Sequence, residues 1–241
     1  MRLWRAILFL AGIALLFAVW LPPFSTLANQ YSITFHVLRQ LALVLGAPLL
    51  LVKGSRDLLK LLPLKRARIA PWIAWTIGIV ALWIVYLPPV FNAMAASRDL
   101  RLTVEILLPA AGVLFWWPAF SPIEEARISP IPKGMLFFFM ACVATSILGL
   151  YIMFDRSEAF YVYINPRDSM GILHTLRNQW ALTPELDQET AGLLMWIGTC
   201  LFFLTSVMMM FYRWYTSAAV KNEFALPPNP READERAAEE T

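Results

Sequence analysis

Tyr31–Val52 reads YSITFHVLRQLALVLGAPLLLV. A helix needs about 20 mostly apolar residues to cross a bilayer, and this run has that length. Lipid offers no partner for backbone N–H and C=O groups, so a continuous apolar run of this kind is a helix. Past its first turn, three polar side chains interrupt it: His36, Arg39 and Gln40. Their i, i+3, i+4 spacing puts them on one face. Ionisable groups inside an apolar span are costly, and they mark a functional-site hypothesis.

Five further segments have the same character: Leu3–Leu21, Pro71–Ala93, Leu102–Phe120, Gly134–Phe154 and Thr190–Tyr212. The sequence therefore predicts an all-α integral membrane protein, a bundle of six transmembrane helices within residues 1–221. Composition agrees. The chain is 59% hydrophobic with only 15% charged residues, against roughly 25% in soluble domains. The N-terminal run resembles a signal peptide in having Arg2, Arg5 and a Thr26-Leu27-Ala28 stretch, but it is long and ends in Pro-Pro. It reads as a retained first helix.

Lys and Arg set the orientation. With the N-terminus inside, the cytoplasmic segments hold 14 of the 20 basic residues. The loop 53–69 contributes Lys53, Arg56, Lys60, Lys65, Arg66 and Arg68, and both termini come out cytoplasmic. Basic residues confined to short loops, with a net charge of +3, do not suggest nucleic-acid binding. Residues 222–241, rich in Pro, Ala and acidic residues, read as a disordered cytoplasmic tail. Cys142 and Cys200 form no CxxC or CxC motif and read as two separate buried residues.

The Tyr31–Val52 span is preceded by Leu21-Pro22-Pro23, and the Leu102–Phe120 span by Leu87-Pro88-Pro89. His36 and Gln40 then fall against Arg101 and Glu105, as in a duplicated two-span unit. Both spans enter from outside, so these groups share a depth toward the outer leaflet. Arg39 and Glu105 are the expected ion pair, since a buried charge survives only if paired or hydrated. The last span begins with Asp187-Gln188 on the same side. The expected polar intramembrane cluster is thus His36, Arg39, Gln40, Arg101, Glu105, Asp187 and Gln188. It locks helices together or handles a ligand. Asp187 also suits the start of its own helix, where the dipole favours an anion.

Other features have plainer readings. Trp116-Trp117-Pro118 reads as an aromatic anchor at the inner interface, and Phe160-Tyr161-Val162-Tyr163 as one at the outer interface. Leu173, Leu176 and Trp180 share one face of a short surface helix, with a solvated His174 beside it. Met208-Met209-Met210 point to different faces and read as packing residues.

Three stretches resemble the multi-span bacterial CtaG family of cytochrome c oxidase assembly factors. They are Phe35–Gln40 running to Gly46-Ala47-Pro48-Leu49-Leu50, then Gly112–Pro118, then Leu182–Gln188 followed by Ala191–Trp196. The last, a DQ-x-x-AG-x-x-MW string at the mouth of a final helix, is the most specific. The resemblance implies a bacterial inner-membrane protein that assists a haem-copper oxidase or another respiratory complex. It also implies copper as a cofactor, held by histidine pairs four residues apart. Only His36 of four such positions is retained; Gln40, Arg101 and Glu105 occupy the others. His36 is therefore the candidate metal ligand, and an ionic network in place of the histidine cluster is expected. A stable accessory subunit and a copper or small-solute transporter are the competing readings. No nucleophile–base pair or phosphate loop suggests an enzyme.

Overall fold

The computed structural model describes residues 3–55, 69–121, 128, 131–155 and 160–216. The expected tail and most of the basic loop lie outside the described residues. Those described form mainly helices. Four helices are long and apolar enough to span a membrane: α2 (Ile33–Gly54), α5 (Arg98–Phe120), α6 (Ile131–Phe154) and α7 (Pro184–Tyr212). Between them lie α3 (Pro71–Ile84) and α4 (Pro88–Ala96), which together make a fifth span bent by 65°. Helix α1 (Leu3–Ala18) is apolar but shorter, at 16 residues. The protein is thus a multi-pass membrane protein with four to five spans by length and composition.

The expected span Pro71–Ala93 thus takes the form of a bent pair rather than one continuous helix. The cause is local. Pro88 holds Leu87 in an extended conformation and then starts a new helix. The first Leu-Pro-Pro acts alike: α1 stops at Ala18, and short helical turns at Phe24–Thr26 and Leu27–Tyr31 follow.

The two units correspond further than their prolines. Ser32 accepts a hydrogen bond from Phe35 N–H, and Ser97 accepts one from Leu100 N–H, both at 3.3 Å. Each serine caps the next helix from an extended backbone. Counting from these caps, His36 matches Arg101 and Gln40 matches Glu105.

Packing is set by close backbone approaches. Helix α2 is central, lying against α1, α5 and the start of α7, while α6 lies against α7 and α3. At Gly112 of α5, an added Cβ would overlap the Val44 carbonyl of α2 and meet Pro48 Cγ at 2.6 Å. Small residues at helix crossings do this in membranes, where dispersion replaces the hydrophobic drive. Gly149 and Gly192 bring α6 and α7 together in the same way. Near this crossing, Thr199 donates to Thr145 Oγ1 at 2.8 Å.

Cys142 and Cys200 are joined as a disulfide with Cα atoms 5.0 Å apart. This corrects the reading of two separate residues: the α6–α7 crossing brings them together across 58 residues of sequence.

The core is aromatic. Trp116 is fully buried among Phe115, Phe120, Phe138, Phe202 and Phe203. Trp117 is also buried. These tryptophans are interior packing, not the interfacial anchor expected, because α5 is enclosed at this level. Phe160 and Tyr163 are likewise buried, against Phe91 at 5.1 and 6.0 Å, and do not anchor the interface. In the connection before α7, Leu176 is buried while Trp180 is 66% exposed. A π-helical turn covers Thr175–Gln179, and one residue is buried and the other in the open, so the expected shared face is not formed. His174 is exposed. Met208 and Met209 are exposed on the outer surface of α7.

Candidate functional site

The polar groups gather where α2, α5 and α7 begin. Arg39 is fully buried, and its Nη2 lies 2.8 Å from Glu105 Oε1 of α5. The same nitrogen donates to Asn29 Oδ1 at 2.7 Å. The pair therefore ties α2 to α5 and to the turn ahead of α2. One turn from it, His36 Nε2 and Gln40 Nε2 are 3.3 Å apart, both buried. The π-helical turn Ala42–Gly46 follows at once and widens the helix just below the cluster.

Aromatic rings enclose His36. Tyr86 and Phe91 meet it edge-on at 5.9 and 5.3 Å, and Tyr163 lies at 6.2 Å. Tyr163 donates its hydroxyl to the Ala28 carbonyl at 2.7 Å. Burial pushes its pKa up, so it stays a donor. Several buried polar atoms have no hydrogen-bond partner: His36 Nδ1, Arg39 Nε and Nη1, Gln40 Oε1, Tyr86 Oη and Glu105 Oε1. Glu105 Oε1 is at ion-pair distance from Arg39 but poorly aligned for a hydrogen bond. Donors and acceptors are mixed, as in a cluster completed by water.

Not all of the predicted residues join this cluster. Arg101 sits half-buried at its rim, beside a cleft. Asp187 turns to the first turn of α2 instead, accepting from Ser32 Oγ at 2.7 Å and from the N–H groups of Ile33 and Thr34 at 2.9 and 3.2 Å. Its own helix is capped by Thr183, which accepts from Leu186 N–H at 3.2 Å. Gln188 donates to the carbonyls of Ile152 and Asp155 at 2.8 and 2.5 Å, closing the end of α6. Both serve helix termini of neighbours. Asn29, Tyr86 and Tyr163 complete the cluster, and sequence reasoning missed them. Tyr86, beside the second Leu-Pro-Pro, was the one with a visible signal.

The model of the cytochrome c oxidase caa3 assembly factor family, Caa3_CtaG, matches residues 1–217. The chain belongs to the Caa3_CtaG family. This makes it a membrane protein of caa3 oxidase assembly. No curated protein and no solved structure matches the chain.

For this Caa3_CtaG protein the donor set decides the fit of copper. The cluster has one imidazole, two amides, two phenols, a guanidinium and one carboxylate, and Met94 beside His36 offers one thioether. Copper sites draw on imidazole, thiolate or thioether groups. Among the described residues no three His, Cys, Asp or Glu side chains are grouped to hold a metal. The residues present do not fit a copper ion.

Proposed function

We propose that this Caa3_CtaG protein supports oxidase assembly by contact within the membrane and handles no metal itself. The Arg39–Glu105 pair supports this reading, because it stands where an imidazole cluster would be needed and instead ties two helices together. The partners are haem-copper oxidase subunits, and the role is non-enzymatic. In the bacterial inner membrane the chain crosses six times, with α1 and the bent α3–α4 pair counted as spans. Both termini are cytoplasmic, as the basic loop after α2 requires. Among the described residues the interior beyond the cluster is filled by Trp116, Phe138 and Phe203, which favours this reading over transport of an ion.

Deleting the gene and assaying haem and copper separately in the remaining oxidase tests the reading. Loss of assembled oxidase, restored by both wild type and His36→Ala, is expected. Normal oxidase content after deletion overturns the assembly role. Oxidase that lacks copper alone, with His36→Ala failing to restore it, overturns the contact mechanism. Stoichiometric co-purification with the mature oxidase would make the protein a stable subunit.

A further inference from the structure

The outward-facing side chains change character at the bend between α3 and α4. On α3 they include Trp72, Ile73, Ile77, Val80 and Ile84, large and apolar as lipid requires. Leu87, at the bend, is the last exposed side chain of this kind before Leu100. On α4 the exposed residues are Pro89, Asn92, Ala93, Ala95 and Ala96. None presents a large apolar side chain, and the Asn92 amide would find no partner in hydrocarbon. The other face of α4 is filled. Phe91 and Met94 are buried there, with Phe91 5.3 Å from the His36 ring and 5.1 Å from Phe160. Helix α4 therefore covers the end of the polar cluster.

Its direction is wrong for finishing a crossing. It has 9 residues, a length of about 13 Å. Turned 65° from α3, it advances only about 6 Å along the axis of that helix.

The neighbouring helices put the water boundary at the same end. Helix α5 begins with Arg98 and Asp99, both exposed. Asp187 of α7 is level with the first turn of α2, whose N–H groups it holds, and Glu189 lies deeper and is exposed. A charge facing hydrocarbon is costly, so the hydrocarbon begins below these residues. The part of α5 that remains, Leu102–Phe120, is about 28 Å long, close to the roughly 30 Å of a bilayer core. Helix α3 with its turn to Leu87 reaches about 25 Å, and slight thinning of the bilayer meets such a shortfall at small cost.

We propose that α4 does not continue the crossing but lies at the water boundary, as a roof over the His36–Arg39–Glu105 cluster, with its Asn92, Ala93 and Ala96 face turned to water. The crossing is then made by α3 alone. The cluster lies about one helical turn beneath the aqueous phase, not at the middle of the bilayer. The inference needs only a chain that spans the membrane and does not depend on the oxidase role.

Cys142 and Cys200 are the two cysteines of the chain and are paired. A cysteine introduced at the surface is thus the one free thiol, and wild type supplies the blank. Single variants of the full chain are placed in phosphatidylcholine nanodiscs, where both membrane faces are open, and treated with a negatively charged methanethiosulfonate. Reaction needs the thiolate, and so needs water. Asn92→Cys, Ala93→Cys and Ala96→Cys are expected to react within about tenfold of Asp99→Cys, the water reference. Ile77→Cys, Val80→Cys and Ile106→Cys, at exposed positions of α3 and α5, are expected to react at least about a hundredfold more slowly, the scale of placing a charge in hydrocarbon. A second pair of variants carries the test if the α4 cysteine variants do not fold. Ala93→Asp should accumulate in the membrane as wild type does, whereas Val80→Asp should be depleted. Reaction at the α4 positions as slow as at Ile77 and Val80 puts that face in lipid or against another helix and overturns the proposal. Equal depletion of Ala93→Asp and Val80→Asp overturns it as well.

Discussion

Asp187 of α7 caps α2 through Ser32. Its Oδ1 takes the Ser32 hydroxyl at 2.7 Å, and Oδ2 takes the Ile33 N–H at 2.9 Å. Thr34 answers by donating its hydroxyl to the Asp187 carbonyl at 2.9 Å. The anion thus sits at the positive end of a neighbouring helix. It fixes where the last span meets the second, and so where Arg39 and His36 lie relative to α7.

Removing that carboxylate leaves buried N–H groups without acceptors. Asp187→Ala is expected to cost about 2–3 kcal/mol, from the lost cap and orphaned donors. Asp187→Asn keeps one acceptor and is expected to cost about half as much. Glu185→Ala, two residues away and exposed, should stay within about 0.5 kcal/mol of wild type. Thermal unfolding in detergent gives the order, and equal losses at both positions would remove Asp187 from this role.

The Arg39–Glu105 pair predicts strong non-additivity. Breaking a buried pair strands the remaining charge, so Arg39→Met or Glu105→Leu alone is expected to cost about 3–5 kcal/mol. The double variant leaves neither charge buried and should recover much of that loss. A double-mutant cycle in detergent measures the coupling; additive losses would mean that the two side chains act separately.

Asp168 gives a pH dependence away from the membrane interior. Its slight desolvation raises its pKa, but the Tyr31 hydroxyl and the N–H groups of Ile172, Leu173 and Gly171 outweigh this and hold it below the usual value. Tyr31 in turn accepts from Met170 N–H at 2.7 Å, so one carboxylate folds this connection over the turn before α2. A lowered folded pKa contributes stability in full above the unfolded value, near 3.9. That contribution is lost as pH falls through the lower folded value. Amide exchange at Met170 and Ile172 should be flat from neutral pH to about 5 after correction for intrinsic rates, then lose protection below about 4. In Asp168→Asn this acid-induced step should be absent.

Much of this arrangement was legible in the sequence, for one reason. Depth in a membrane is read from span boundaries, so His36, Arg39, Gln40 and Glu105 could be placed at one level before any contact was known. Asp187 and Gln188 were placed at the correct end of α7, yet they serve α2 and α6. A capping group signals its own helix in sequence, whereas its partner across the bundle depends on crossing geometry. Trp116 and Phe160 failed similarly: an aromatic near a span end suits both an interface and a core, and only neighbouring helices decide. The disulfide partners carry no local motif at all. The missed serines were readable, since Ser32 and Ser97 stand at matching places in the two Leu-Pro-Pro units.

The α6–α7 crossing offers a test of the fold itself. A Cβ on Gly149 would lie 2.7 Å from both Cβ and N of Trp196, and 2.8 Å from the Gly192 carbonyl. Two of those atoms are backbone, so the helices must separate to admit it. Gly149→Ala is expected to cost about 1–3 kcal/mol, and Gly149→Val more, as overpacking does. Gly198 is the control on α7. Its added Cβ would meet only Leu194 Cδ1, at an ordinary 3.5 Å. Gly198→Ala should therefore be neutral or stabilising by up to about 1 kcal/mol through helix propensity. Unfolding midpoints of the two alanine variants separate a tight crossing from a loose one. If Gly149→Ala melts with or above wild type, the helices do not approach this closely at Gly149.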